Sequence, residues 1–327
     1  MPPRRIPLLR EDGQHWCRAP ALPLETGALF FGPIHARTGG PTRPARYHFS
    51  QRKLIVPDFK VASWNINSVR LRAPSVQKYA AESPADVLML QEIKCRNGEF
   101  PEKALKDAGF PHLMVRGQKG WHGVAIASKH PIEELDCDPF CRNDEARHAG
   151  ARINGIEFHN FYVPAGGDEP DPEINPRFAH KLDFLERMTA YFAKRKAENP
   201  DTPIVIGGDL NIAPHENDVW SHKQLLKVVS HTPVETEGMA KLQDSFDFID
   251  VARAVYPEDE KLYSWWSYRN RDWKKSNRGR RLDHLWVTPA LKDAATAHGR
   301  DALVIHRHAR DWEKPSDHAP VQLTMKL

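Results

Sequence analysis

The segment IVIGGDLN at residues 204–211 predicts a short buried strand that runs directly into polar side chains. Its three β-branched residues suit the centre of a sheet, and its two glycines let the backbone approach a ligand closely. Asp209 and Asn211 stand two positions apart, so their side chains face the same way along an extended chain. The segment therefore indicates either an edge at which Asp209 positions water or moves a proton, or an Asx turn that ends the strand.

Two earlier segments also join a short apolar run to polar side chains. Asn65 and Asn67 lie two apart on a predicted strand, where their amides can donate to phosphate oxygens, ligate Mg²⁺ through oxygen, or form a turn. Glu92 follows the buried run at residues 86–91, and a carboxylate there either ligates a cation or pairs with Lys94. Both a metal site and an ordinary polar strand end are compatible with these groups.

The C-terminal third adds Asp283 and the adjacent pair Asp317-His318. A carboxylate bonded to one imidazole nitrogen fixes the tautomer and favours the imidazolium form. We therefore expect Asp283 and His318 to form a dyad that orients a phosphate or activates water. His306 and His308 are expected to be structural, because no further zinc ligand accompanies their H-x-H spacing.

An aromatic run and a basic stretch lie immediately before Asp283. Aromatic side chains can wedge a base or line a sugar pocket, and basic side chains can hold phosphates. The alternative is a set of core aromatics beside a solvated loop. The residues concerned are Tyr263, Trp265, Trp266, Tyr268, Lys274, Lys275, Arg278, Arg280 and Arg281.

Alternating apolar patterns predict an α/β fold from residue 58 onward. Strands with both hairpin and helical connections favour two mixed sheets packed face to face with helices outside. The dipeptide Asn154-Gly155 is typical of a two-residue hairpin turn. The predicted strands lie at 60–66, 87–90, 124–128, 151–153, 157–163, 203–207, 285–287, 303–306 and 321–325, and the predicted helices at 72–81 and 178–196.

The length and the charge distribution of the chain limit the number of domains and the ways in which it could bind nucleic acid. The chain has 327 residues, 40% hydrophobic and 28% charged, which suffices for one large domain or two ordinary ones. Residues 1–57 hold nine basic and three acidic residues, a net charge of +6, so residues 58–327 carry −2 within a whole-chain charge of +4. Any contact of residues 58–327 with DNA must therefore come from a local patch or a bound metal.

Residues 1–57 also contain nine prolines and no sustained periodicity. This composition predicts a disordered Pro/Arg-rich extension that is dispensable for activity. A targeting peptide, or a stretch that is never made in the cell, is the alternative. The catalytic domain is predicted to span residues 58–327.

Several common classes are disfavoured. The apolar stretches are shorter than the roughly 18 residues that span a bilayer. Residues 1–10 lack the apolar core of a signal peptide. We therefore expect a soluble, cytoplasmic, nucleoid-associated protein. The four cysteines are expected to be free thiols; Cys137 and Cys141 could suit a metal, but no second pair completes a zinc site. P-loop, G-x-S-x-G and H-E-x-x-H motifs do not occur, which argues against the corresponding hydrolases.

Taken together, these segments resemble the exonuclease III family of abasic-site (AP) endonucleases of bacterial type. The resemblance covers about residue 59 to the C-terminus, and the motifs occur in the order typical of that family. The matching strings are WNIN at 64–67, LQEIK at 90–94, YVP at 162–164, GGDLNIAP at 207–214, RLD at 281–283 and KPSDHAP at 314–320.

The resemblance implies a four-layer α/β sandwich with one Mg²⁺ or Mn²⁺ site. The implied activity is cleavage of double-stranded DNA 5′ of an abasic site, leaving a 3′-hydroxyl, with 3′-end repair and 3′→5′ exonuclease action. The resemblance implies that Glu92 is the main metal ligand, with Asn67 and Asp317 nearby. It implies that Asn65, Tyr162 and Asn211 hold the phosphate. It further implies that Asp209 handles the proton of the water or of the leaving group, and that His318, paired with Asp283, is the other catalytic partner.

Two positions depart from the family pattern. Ala165 stands where an amide usually touches phosphate, and Arg280 stands where a bulky apolar residue usually lines the abasic-sugar pocket, although Trp265 and Leu282 still fit that pocket. The rival hypotheses are a phosphodiesterase or phosphatase acting on lipid or inositol phosphates, and a non-catalytic nucleic-acid-binding regulator of the same fold. We expect a monomer whose partner is DNA and not a membrane.

Overall fold

A computed structural model of the chain describes residues 58–270 and 272–327, so the predicted extension at 1–57 lies outside the described residues. The strands are β1 (Phe59–Asn65), β2 (Val87–Gln91), β3 (His112–Arg116), β4 (Val124–Ser128), β5 (Glu133–Glu134), β6 (His148–Ile153), β7 (Ile156–Tyr162), β8 (Ile204–Asp209), β9 (Ile249–Asp250), β10 (Trp265–Trp266), β11 (Gly279–Arg280), β12 (Asp283–Val287), β13 (Leu303–Ile305) and β14 (Val321–Met325). The helices are α1 (Val69–Glu82), α2 (Glu102–Asp107), α3 (Pro176–Glu198), α4 (His222–Leu225), α5 (Pro233–Asp244), α6 (Val251–Val255), α7 (Trp273–Ser276) and α8 (Lys292–Thr296).

The strands form two mixed six-stranded sheets and one small ribbon. The first sheet has the order β13-β14-β1-β2-β4-β3, and the second has the order β5-β6-β7-β8-β12-β9. Strands β10 and β11 form the ribbon. The predicted pair of mixed sheets is thereby confirmed, and among residues 58–270 and 272–327 no helix is long and apolar enough to cross a membrane.

Three apolar layers hold the sheets and helices together. Val61 and Val87 of the first sheet share a core with Phe158, Val205 and Leu285 of the second, so the two sheets pack face to face. The outer face of the first sheet packs on α1 and α2, and the outer face of the second packs on α3 and α5. The result is the predicted four-layer order of helices, sheet, sheet and helices.

Gly207 permits a close approach between the two sheets. A Cβ atom at this position would lie 2.1 Å from Cε of Met89 on the facing sheet. A larger residue at position 207 would force the Met89 side chain to move and would disturb the packing between the sheets just before the polar end of β8. The sequence analysis predicted that the two glycines let the backbone approach a ligand closely. In the structure, Gly207 instead lets its strand approach the opposite sheet closely.

Most predicted elements are present, with shifted ends. Asn154 and Gly155 have φ angles of 51° and 80°, as a two-residue hairpin turn requires. Helix α1 begins at Val69, three residues before the prediction, and bends at Arg72 (φ −113°, ψ 19°), two residues before Pro74. The predicted start at Arg72 was wrong because the pattern showed only the segment that Pro74 begins.

Helix α5 was not predicted. Its sequence has few apolar residues, and only Glu235, Met239 and Leu242 are buried. The helix begins at a capping box in which the carboxylate of Glu235 accepts from the backbone N–H of Thr232 at 3.1 Å. The string T-P-x-E at residues 232–235 was the available signal.

Arg281 does not hold phosphate, contrary to its place among the basic candidates. Its side chain is 1% exposed and donates to the carboxylates of Asp218 and Asp250, each at 2.7 Å. Burial opposes ionisation of Asp218, but the charges of Arg281 and Arg253 outweigh burial and lower its pKa to about 2. Arg281 is therefore a structural residue that fixes the start of the strand carrying Asp283.

We expect Asp218→Asn to lower the free energy of unfolding by about 2 kcal/mol at neutral pH. A carboxylate with a depressed pKa stabilises the fold above its unfolded pKa of 3.8, and that contribution is lost as the pH falls towards 2. Urea unfolding should therefore show the difference from wild type shrinking over that pH range. A difference that did not change with pH would contradict this assignment, and exposed Asp259→Asn is the matched control.

Candidate active site

The candidate site lies at one end of strands β1, β8 and β12, at the edge of the apolar core between the two sheets. Along β8, Val205 and Gly207 face the opposite sheet, and Asp209 takes the next position in that row. Asn65 ends the corresponding row of β1, and Asp283 ends that of β12, where it pairs in register with Asp209. Because side chains alternate along a strand, the apolar core and the polar site are successive parts of the same rows.

Asp283, His318 and Asp209 form a buried acid–imidazole–acid cluster. Nδ1 of His318 is 2.8 Å from Oδ2 of Asp283, and Nε2 is 3.7 Å from Oδ2 of Asp209. Burial disfavours the imidazolium, but the carboxylates of Asp283 and Asp209 outweigh burial and raise the pKa of His318 to about 10. His318 is therefore a cation at neutral pH, with its ring fixed by Asp283.

Asp209 is held by two amides. Its Oδ2 accepts from Nδ2 of Asn65 at 2.9 Å, and its Oδ1 accepts from the backbone N–H of Asn211 at 3.0 Å. Burial raises the pKa of Asp209 to about 7, with the charge of His318 opposing and that of Asp283 reinforcing the shift. A carboxyl group with a pKa near 7 can accept and return a proton at neutral pH.

Glu92 accepts hydrogen bonds from several sides. Its Oε1 accepts from the hydroxyl of Tyr162 and from Nδ2 of Asn65, each at 2.9 Å. Its Oε2 lies 2.8 Å from Nζ of Lys94, and the same ammonium donates to Oδ1 of Asn67 at 2.7 Å. The predicted alternative, pairing of Glu92 with Lys94, is thus present, and a positive charge already bridges two oxygens proposed from sequence as metal ligands.

The oxygens around this point suit a hard divalent cation. Asp317 accepts from Nδ2 of Asn67 at 3.0 Å and from Nε1 of Trp265 at 2.9 Å, which places its carboxylate beside Asn67. Carboxylate and amide oxygens are the ligands that Mg²⁺ and Mn²⁺ prefer. Since the ammonium of Lys94 bridges Glu92 and Asn67, these residues tolerate positive charge between them, and they fit a cation.

Four non-glycine residues at this site have backbone in the left-handed region. Asn67, Glu92, Lys94 and Asn211 have φ angles of 47°, 49°, 51° and 55°. Residues other than glycine rarely occupy this left-handed region, which costs free energy and persists where the surrounding structure imposes it. The strain follows the ends of β1, β2 and β8 and aims these side chains at one point.

A cleft of about 1050 Å³ opens over these groups. Trp265, Leu282, Arg280 and Ala165 all line this cleft. Nη1 of Arg280 donates to the backbone oxygen of Val229 at 3.0 Å and to Oγ of Ser230 at 2.6 Å. The guanidinium also lies 5.5 Å from the centre of the Trp265 ring. Arg280 is thereby held in the wall of the cleft.

The structure brings all of the predicted site residues together. Most line the cleft itself, and Asn65, Asn67 and Asp283 reach it through the hydrogen bonds described above. The residues that line the cleft directly are Glu92, Tyr162, Asp209, Asn211, Trp265, Arg280, Leu282, Asp317 and His318.

Two supporting residues were not predicted. Lys181 of α3 is fully buried and donates to the backbone oxygen of Asn211 at 2.8 Å, which holds the turn after β8. A lysine on the apolar face of the predicted helix at 178–196 was the available signal. Oγ of Ser264 accepts from the backbone N–H of Asp283 at 3.0 Å, and nothing in the sequence marks this serine.

The histidine and cysteine residues discussed from sequence do not line this cleft, apart from His318. His306 packs edge-on against Tyr79, with ring centres 5.3 Å apart, as a structural histidine does. Cys95, Cys137 and Cys141 are free thiols in the described part of the chain, as predicted.

A four-layer α/β sandwich whose cleft combines oxygen atoms that fit a hard cation with a buried Asp–His–Asp cluster is compatible with metal-dependent phosphoester hydrolysis. The sequence model of the endonuclease/exonuclease/phosphatase family matches residues 62–318. The chain belongs to this family.

Individual relatives are similar over nearly the whole described region. The chain is 29% identical to exodeoxyribonuclease III of Haemophilus influenzae, covering 82% of this chain and 100% of the relative. The structure of an AP endonuclease from Archaeoglobus fulgidus matches with 31% identity and a TM-score of 0.75, covering 82% of this chain and 100% of that one. A 3′ phosphatase from Neisseria, solved with a product DNA hairpin, matches with 28% identity and a TM-score of 0.73 over the same shares.

Proposed function

We propose that the chain is a Mg²⁺- or Mn²⁺-dependent DNA repair phosphodiesterase. Its substrates are double-stranded DNA with abasic sites, cut on their 5′ side, and DNA with blocked or recessed 3′ ends. The observation that carries the proposal is that Asp209 and His318 face one cleft with the cation site of Glu92. Relatives named as exodeoxyribonuclease III, AP endonuclease and 3′ phosphatase support the same class of substrate.

Proton transfer in the proposed reaction is assigned to Asp209. In its ionised form it takes a proton from water, whose oxygen then bonds to phosphorus while the bond from phosphorus to the upstream 3′ oxygen breaks. The departing oxygen takes up a proton from solvent and becomes a 3′-hydroxyl. His318, kept protonated by Asp283, holds negative charge on the phosphate as the bonds change.

Neutral donors complete the phosphate site. Burial raises the pKa of Tyr162 well above its ordinary value, with the charge of Glu92 adding to the effect, so its hydroxyl stays protonated and donates. The amides of Asn65 and Asn211 donate from either side of Asp209. A bound divalent cation, held by Glu92, Asn67 and Asp317, supplies Lewis-acid stabilisation of the charge on the phosphate.

Arg280 favours a terminal phosphate as a second substrate. Only Nη1 of Arg280 is hydrogen-bonded in the described part of the chain, so the rest of its guanidinium can meet a ligand in the cleft. A doubly charged 3′-phosphate gains charge-assisted hydrogen bonds there, whereas an uncharged abasic sugar does not. We therefore add 3′-phosphate removal to the proposed activities.

We expect Arg280→Leu to shift the enzyme from 3′-phosphate removal towards abasic-site incision. Loss of a hydrogen bond to a charged group should lower kcat/KM for the 3′-phosphate about 10- to 100-fold, while incision at an abasic site is kept or improved. Arg278→Leu is the matched control, because Arg278 also lines the cleft but lies over Trp220, at 4.7 Å. Equal losses on both substrates in Arg280→Leu would show that it does not discriminate between them.

A panel of substrates separates this proposal from its rivals. Duplexes with one abasic-site analogue, a 3′-phosphate or a recessed 3′ end are compared with soluble inositol phosphates under the same Mg²⁺ concentration. Turnover of inositol phosphates in preference to all three duplexes would replace the proposal by the lipid and inositol phosphate hypothesis.

The same assay on a chain that starts at Asp58 is expected to give wild-type rates, since residues 1–57 are proposed to be dispensable. A monomeric, cytoplasmic enzyme stays a prediction, for which light scattering and fractionation are the measurements.

A further inference from the structure

A second group of metal-binding side chains lies apart from the acid–imidazole–acid cluster, on the segment between β5 and β6 and on α3. Sγ of Cys141 is 3.2 Å from Nε2 of His180. One donor atom of each of Cys141, Glu145 and His180 lies within 4.8 Å of the others. Ligand atoms about 2.0–2.3 Å from a tetrahedral Zn²⁺ are roughly 3.3–3.8 Å apart, so only small side-chain shifts would close this set around one ion.

Neighbouring groups hold these donors in ligand-like orientations. Nδ1 of His180, the nitrogen that faces away from Cys141, is 3.3 Å from Nδ2 of Asn143. Turned over, this amide presents its oxygen to Nδ1–H, the partner that an imidazole bound to zinc through Nε2 requires. The guanidinium of Arg147 occupies one carboxylate oxygen of Glu145 and leaves the other free to bind. Metal sites in proteins characteristically fix the far nitrogen of a histidine and the far oxygen of a carboxylate in this way.

A second histidine, His122, lies beside Glu145 and outside the set of three mutually close donors. Nε2 of His122 is 3.6 Å from Oε1 of Glu145, the oxygen that Arg147 does not hold. Nδ1 of His122 is buried and has no hydrogen-bond partner in residues 58–270 and 272–327.

We infer that Cys141, Glu145 and His180, with His122 as fourth ligand, bind one Zn²⁺. A thiolate and two imidazoles select a borderline-soft ion over Mg²⁺, which prefers oxygen alone and suits the Glu92 site. On binding, the Cys141 thiol loses its proton to solvent and a sulfur–zinc bond replaces the S–H bond. A cavity of about 780 Å³ lined by His122, Glu145 and His180, and also by Glu92 and Tyr162 of the active site, gives the ion access from solvent.

Cys137 provides an internal comparison. It lies near His148 and His159 on the outer face of the second sheet, where a second set of possible metal donors occurs. There, however, Nε2 of His148 and Nδ1 of His159 are hydrogen-bonded to each other at 3.1 Å, and the hydroxyl of Tyr191 occupies the Cys137 sulfur at 3.4 Å. In that set the sulfur and the two facing imidazole nitrogens are hydrogen-bonded, whereas in the Cys141 set Oε1 of Glu145 has no hydrogen bond within the described residues.

The test uses the full chain, stripped with a chelator and titrated with Co²⁺ as a spectroscopic substitute for Zn²⁺. We expect a near-ultraviolet thiolate-to-cobalt absorption band that saturates at one equivalent and is bleached by Zn²⁺. Cys141→Ser should abolish the band, and Cys137→Ser and Glu92→Gln should keep it. Zinc affinity should fall roughly 10-fold in Asn143→Ala, which loses only the supporting amide, and further in His180→Ala.

Circular dichroism of each variant shows whether it is folded, so a lost band can be assigned to a lost ligand. A wild-type protein with no thiolate band, or with no zinc retained after dialysis by elemental analysis, would overturn the inference. A band that persists in Cys141→Ser and disappears in Cys137→Ser would overturn it as well. Neither readout depends on cleavage of DNA, so the outcome is independent of the proposed nuclease function.

Discussion

Asp209→Asn should leave duplex binding intact and lower the rate of the cleavage step about 10²- to 10⁴-fold. The reason is chemical: an amide keeps an oxygen that can accept from Asn65, yet it cannot take a proton from water. The carboxyl group of Asp209 is suited to that transfer because burial raises its pKa to about 7, close to the working pH. Single-turnover cleavage of a duplex with one abasic-site analogue measures the step directly.

The control for Asp209→Asn removes the same charge from the same cleft. Asp168 lines the cleft but is exposed, so Asp168→Asn should stay within about fivefold of wild type. Near-normal cleavage by Asp209→Asn would remove this residue from the mechanism. An equal loss in Asp168→Asn would show that the overall charge of the cleft, and not the carboxyl group of Asp209, is what matters.

His318→Ala should lower the single-turnover rate about 10²- to 10³-fold, because the variant removes a fixed positive charge from the phosphate site. The matched control is His308→Ala, whose ring is outside the cleft and packs near Trp312, with ring centres 5.6 Å apart. Weaker duplex binding with an unchanged cleavage rate in His318→Ala would indicate that the imidazole only anchors DNA.

Asp283→Asn tests the same dyad through its pH dependence. Burial lowers and the two carboxylates raise the pKa of His318, which is about 10 with Asp283 present. If the protonated ring is the active form, activity is present below that pKa and is lost as the pH rises through it. Removing the charge of Asp283 lowers the pKa, so the loss of rate on the alkaline side should move to lower pH. If Asp283 had a purely structural role, the pH at which the rate falls on the alkaline side would be the same in the variant and in the wild type.

The site residues were predictable because they continue patterns that are visible in the sequence. Asn65 and Asp209 are the last residues of β1 and β8, and Asp283 is the first residue of β12. The alternation of side chains along a strand fixes the face on which each of them lies. Strand pairing then places Asp283 opposite Asp209, which no property of the separate segments could specify. Family resemblance supplied the order and the implied roles.

Other features could not be predicted because they depend on contacts between distant segments. The ammonium of Lys94 reaches Asn67 as well as Glu92, and Arg281 is buried against Asp218 and Asp250 although it stands in a basic stretch. Charge patterns in a sequence do not reveal which cations are exposed. The donors of the inferred zinc site likewise come from three separate parts of the chain.

Metal-dependent incision of abasic DNA is the decisive measurement for the proposed activity. The full chain is incubated with a duplex carrying one abasic-site analogue, with Mg²⁺ or with EDTA, while fluorescence anisotropy reports binding in the same samples. We predict a single cut on the 5′ side that leaves a 3′-hydroxyl with Mg²⁺, and no cut with EDTA. Tight binding without any cut in the presence of Mg²⁺ would contradict the account and favour a non-catalytic regulator of the same fold.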